Sequence, residues 1–169
     1  MAARSFDPSL VQREGFHVVG VIVRTTNAAE TDPELSQVGR LWQRFFDENV
    51  SRRTPGAVPG LIAGVYSNYE RAGEAEYDMV LGPVVTRSDT VPDGLHLVSV
   101  PGGRYLAFPV EGMPPTATLE AWSRIDAWFA SGQPFRRAFT YDIELYRPGV
   151  TEILVSIEPT VAVTSEESI

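Results

Sequence analysis

This sequence predicts an α+β fold built from two similar strand–helix–strand–strand units, and three observations carry that prediction. Segments rich in β-branched residues mark strands, and they alternate with stretches whose apolar residues recur every three or four positions, the mark of one helical face. The order of those elements occurs twice, over 16–86 and 95–159, which is the signature of an internal repeat. A polar connector, Arg87 to Gly94, separates the two. Each unit alone is a small sheet with a helix on one face, so its other face must be buried or used. Two such units placed side by side leave a groove between them, a favoured place for a ligand.

Phe16 to Thr26 reads as a buried strand ending in a polar turn. A helix is then expected from Thr31-Asp-Pro-Glu34, where Thr31 or Asp32 can cap, Pro33 suits the first turn and Glu34 favours the positive end of the dipole. Its apolar face would run through positions 35, 38, 41, 42, 45, 46 and 50, with Gly39 marking a close approach. Thr54 to Gly60 has loop chemistry, and strands at 61–69 and 77–86 follow. In the second unit, a strand over 95–110 bends at Pro101-Gly102-Gly103. A helix starts at Thr116 or Thr118 and ends at Ser131-Gly132; strands at 135–146 and 153–157 flank a turn at Pro148-Gly149. Residues 1–15 are expected to form a flexible segment and 160–169 a fraying acidic tail.

Composition narrows the function. There is no cysteine and there are two histidines, His17 and His96, so disulfides, thiol catalysis and zinc ribbons are excluded and no metal or other cofactor is expected. The net charge is −8, and all 14 bases are arginines spread singly or in pairs. That field repels a phosphate backbone, so direct nucleic-acid binding is disfavoured and a cationic or neutral organic ligand is favoured. The longest apolar runs fall short of a membrane span, and the N-terminus lacks the apolar core of a signal peptide; the expected location is the cytoplasm. No phosphate loop can be completed without lysine, and no serine sits in a nucleophile elbow.

The most pointed segment is Thr140-Tyr-Asp-Ile-Glu-Leu-Tyr146. Alternation sends Tyr141, Ile143 and Leu145 to one face, expected to pack under Trp122, Ile125 and Phe129 of the second helix, and turns Asp142, Glu144 and Tyr146 to the open groove side. A carboxylate among aromatic rings binds a delocalised cation by charge neutralisation and cation–π contact. If desolvation raised its pKa, it could instead move a proton.

Several motifs in this order resemble the GyrI-like small-molecule-binding family. They are Leu41-Trp-Gln-Arg-Phe45, Gly64-Val-Tyr66 with Tyr69-Glu70, Pro101-x-Gly103-x-Tyr105-x-x-Phe108 with Gly112, Trp122-x-x-Ile125-x-x-Trp128, and Asp142-Ile-Glu144-Leu-Tyr146. That family is the bacterial effector-binding domain of AraC-type and MerR-type multidrug regulators, and also occurs free-standing. The resemblance covers about residues 16–159 and implies that the two units form a pseudo-twofold pair with the ligand groove between them, where Glu144 neutralises a cationic, polyaromatic ligand. It implies ring walls from Tyr66, Tyr105 and Tyr146, with Trp42 and Trp122 beside them. Fifteen residues before Phe16 are too few for a helix-turn-helix, so a stand-alone binder is expected, acting alone or through a protein partner. The resemblance also leaves two alternatives: a hydrolase of strained cyclopropane genotoxins using Glu144 and Tyr105, and a protein-interaction inhibitor of the DNA gyrase type.

Overall fold

A computed structural model describes residues 6–159. The elements are β1 (Ser9–Arg13), β2 (Phe16–Thr26), α1 (Asn27–Glu30), α2 (Val38–Asp47), α3 (Val50–Arg53), β3 (Ala57–Ser67), β4 (Glu76–Val85), β5 (His96–Val100), β6 (Gly103–Val110), α4 (Thr116–Ala130), β7 (Asp142–Arg147) and β8 (Val150–Ser156). All strands pair antiparallel in one eight-stranded sheet of order β1-β6-β8-β7-β3-β4-β2-β5. One half of the sheet holds β2, β3 and β4 of the first expected unit and the other holds β6, β7 and β8 of the second; the halves meet where β7 pairs with β3, and β5, from the second unit's span, joins the first half beside β2.

The segment expected to be flexible before Phe16 contains β1, which pairs with β6 of the other unit, while β5 pairs with β2. Only Glu14 and Gly15 separate β1 from β2, yet these strands lie near opposite ends of the sheet. The three residue steps from Arg13 to Phe16 span at most about 11 Å, so the sheet must curl until its ends meet. Gly20 and Gly82 mark a tight contact in the curl: a Cβ on Gly20 would lie 2.0 Å from the Leu81 carbonyl oxygen, and one on Gly82 would lie 1.9 Å from that of Val19. Inside the curl, Val18, Val65, Val80, Val100, Tyr105, Ile143, Leu145 and Leu154 from both units form one core. The two long helices cover the opposite face, α2 over Val19, Val21, Met79 and Leu81, and α4 over Leu106, Phe108, Ile153 and Val155.

Three expected boundaries are corrected. The helix expected from Thr31 begins at Val38, after α1 and a turn, and breaks at Asn49, whose φ is +50°. Nothing lies within 4 Å of a Cβ built on Gly39, so no close approach occurs there. β3 begins inside the supposed loop, at Ala57, with its register against β4 shifting between Ala57 and Ile62. Of the strand expected over 135–146, the part before Asp142 is irregular apart from a bridge between Arg137 and Ile157. The tail 160–169 lies outside the described residues.

The late start of α2 has a cause in Glu30. Its carboxylate accepts from Thr25 Oγ1 at 2.6 Å, Ser36 Oγ at 2.9 Å, Gln37 N at 3.0 Å and Val38 N at 3.2 Å. It therefore supplies the cap that Gln37, at the cap position, does not. Burial pushes the Glu30 pKa up, but these donors outweigh it and hold the pKa below the usual value. Glu30→Ala is expected to cost about 2 kcal/mol at neutral pH, the loss of a multiply bonded cap. A lowered folded pKa stabilises above the unfolded pKa and loses that contribution as pH falls through the folded value. Thermal melts of the two proteins should therefore converge as pH falls from neutral through that lowered value.

Candidate functional site

At the centre of the sheet β3 and β7 pair in the register Ile62↔Tyr146, Gly64↔Glu144 and Tyr66↔Asp142. Directly opposed residues on antiparallel strands share a face, so Gly64 and Glu144 lie together on the helix-bearing side. A Cβ on Gly64 would come within 3.3 Å of Glu144 Oε2 and 2.8 Å of the Met79 methyl. Glycine here leaves the carboxylate its space.

Glu144 is 2% exposed. Its Oε1 accepts from Tyr66 Oη and from Trp122 Nε1, both at 2.8 Å, and its Oε2 accepts from Tyr146 Oη at 2.6 Å. All three donors are neutral, and among the described residues no base forms an ion pair with Glu144. Burial raises its pKa, against the downward pull of Tyr146, Trp122 and Tyr66. Burial and the facing carboxylate push the phenols of Tyr66 and Tyr146 up as well, so both stay protonated and able to donate. A carboxylate held this way is hydrogen-bonded but not neutralised, the condition that makes a buried charge costly.

Rings enclose it. Trp42, from α2, stands edge-on to Tyr146 at 5.1 Å and stacks on Phe46 at 6.0 Å. Trp122, from α4, stands edge-on to Tyr66 at 5.7 Å, and Tyr66 contacts Tyr77 at 5.7 Å. Of the residues read from sequence, Glu144, Tyr66, Tyr146, Trp42 and Trp122 therefore come together. Tyr77 was missed, although its alternation with Met79 and Leu81 places it on the helix-bearing face of β4.

Two expectations fail. Tyr105 is not in the cage. It is 4% exposed, packs in the core inside the curl, and donates its hydroxyl to the Pro101 carbonyl at 2.9 Å. Its neighbours on β6 make the reason plain: Leu106 and Phe108 take the helix face, so Tyr105 and Ala107 point away from it. Likewise Tyr141, Ile143 and Leu145 pack inside the curl and not under α4. Glu144 thus shares the helices' side, and aromatic rings close what was expected to be an open groove.

Asp142, 0% exposed, has a structural role. It accepts from Arg137 Nη2 at 2.8 Å, Tyr69 Oη at 2.6 Å, and Ser156 N and Oγ at 2.9 and 3.2 Å. Arg137 also lies 5.5 Å over Trp122 and 4.3 Å over Phe139. His17 Nδ1 is 2.8 Å from Ser99 Oγ on the surface, and His96 is exposed. Among the described residues no three His, Cys, Asp or Glu side chains are grouped to hold a metal, and no helix is long and apolar enough to cross a membrane.

With this geometry in view, residues 9–159 match the protein family described as Cass2, integron-associated effector binding protein. The chain is similar to the integron cassette protein VCH_CASS2 of Vibrio cholerae, at 29% identity and a TM-score of 0.78, over 90% of this chain and 96% of that one. It also shares the fold of SAV2435, solved bound to tetraphenylphosphonium, at 18% identity and a TM-score of 0.73, over 90% of this chain and 94% of that one. No curated protein sequence matches it.

Proposed function

Because this chain belongs to the integron-associated effector binding protein family, we propose that it captures a hydrophobic organic cation, with Glu144 as the counter-charge and the surrounding rings as the walls. The observation that carries this reading is the buried carboxylate of Glu144, which has three neutral donors and, among the described residues, no base paired with it. A cation entering the cage supplies what the protein does not. Its charge meets the carboxylate in a water-poor site, where Coulombic attraction is strong. Its flanks meet tyrosine and tryptophan faces, which attract positive charge. The family resemblance and the tetraphenylphosphonium bound to SAV2435 point to the same ligand chemistry.

Capture requires the rings to part. The edge-on contacts of Trp42 with Tyr146 and of Trp122 with Tyr66 are each worth about 1 kcal/mol, so opening costs an amount that new ring–ligand contacts can replace. The hydrolase alternative loses its chosen pair, because Tyr105 lies inside the curl. Tryptophans 42 and 122 line the cage, so binding is expected to quench their fluorescence saturably at one ligand per chain. Mass spectrometry of each mixture should return the ligand unaltered. A product of changed mass, formed with turnover, would overturn the binding reading in favour of an enzyme.

A further inference from the structure

We propose that the ligand carries its positive charge between two aryl groups and not at one end of a chain. This rests on the cation-binding reading and deepens it.

Trp42 and Trp122, Gly64 and Glu144, and Tyr66 and Tyr146 are each separated by the same interval of 80 residues (122 less 42, 144 less 64, 146 less 66). The repeat, visible in the sequence as element order, is therefore also a repeat of ring positions. In space the pseudo-twofold axis passes through the Gly64↔Glu144 pair. Glu144 is thus the single charge on the axis, and its counterpart is the glycine that leaves room for it.

A tyrosine–tryptophan pair stands on either side of that point. On one side Tyr66 donates to Oε1, with Trp122 and Tyr77 each at 5.7 Å from it. On the other Tyr146 donates to Oε2, with Trp42 at 5.1 Å and Phe46 stacked on Trp42. Each carboxylate oxygen accepts from one tyrosine, and against each tyrosine stands a tryptophan from the other unit's helix. A cation seated at the axis with an aryl group on either side engages both sets of rings. A cation with its charge at one end engages one set and leaves the other unused.

The test compares two permanent cations of identical formula, dibenzyldimethylammonium, with its charge between two rings, and (biphenyl-4-yl)methyltrimethylammonium, with its charge at one end. Titration of each into the wild-type chain by tryptophan fluorescence should show the dibenzyl isomer bound at least about ten-fold more tightly, the gain from a second aromatic contact. Trp42→Ala and Trp122→Ala should each weaken the dibenzyl isomer. Should either variant fail to fold, the wild-type comparison decides alone. Equal or tighter binding of the biphenyl isomer would overturn this inference while leaving the cation reading intact. Binding of neither would overturn both.

Discussion

Glu144→Gln is expected to weaken tetraphenylphosphonium binding by at least about ten-fold at neutral pH, roughly 1.5 kcal/mol, the loss of one charge-assisted interaction. Glutamine keeps the shape: its oxygen can accept from Tyr66 and Trp122, and its amide can donate to the Tyr146 hydroxyl. The variant should therefore fold, and should melt no lower than the wild type, because an uncompensated buried charge has gone. A second signature is the pH profile. The Glu144 pKa is raised by burial, so at low pH the empty protein holds a proton that a cation must expel. Wild-type affinity should rise with pH through that raised pKa and then level off, whereas the variant should stay flat. Equal affinity for the two proteins would remove Glu144 from the site.

Arg137→Leu is expected to destabilise the fold by about 3–5 kcal/mol, the cost of stranding a buried charge. Asp142 is fully buried, and Arg137 is the base that pairs with it, at 2.8 Å. Tyr69 and Ser156 would still donate, so the carboxylate would remain solvated by hydrogen bonds but lose its counter-charge. Adding Asp142→Asn should restore much of the loss, because the stranded charge then disappears. Denaturant unfolding of the two single variants and the double variant measures this coupling. Additive losses would show that the pair is not what holds the connector before β7 to the sheet.

The repeated element order, both long helices and the carboxylate at the centre of the candidate site were legible in the sequence, because periodicity and turn chemistry are local signals. Phe16–Thr26 and the bend at Pro101-Gly102-Gly103 were readable for that reason. Which face of a strand meets a helix was not. Both faces of β6 and β7 are buried, one inside the curl and one under the helices, so alternation separates Tyr105 from Phe108 without saying which lies near the groove. β1 was missed for a related reason. Ser9–Arg13 is mostly exposed and pairs with a strand some ninety residues later, so no local pattern announces it. The Glu30 cap is likewise a long-range effect, reaching from α1 to the start of α2 across a turn.

The proposed capture of a ligand by charge recognition at Glu144 is tested most directly by comparing a cation with a neutral molecule of similar shape. Tetraphenylphosphonium and triphenylphosphine oxide would be titrated side by side into the wild-type chain, followed by tryptophan fluorescence at neutral pH. The expected result is saturable binding of the cation at one per chain, with the neutral oxide at least about ten-fold weaker. Equal affinities would show a greasy cavity indifferent to charge, and would contradict the role of Glu144 as counter-charge.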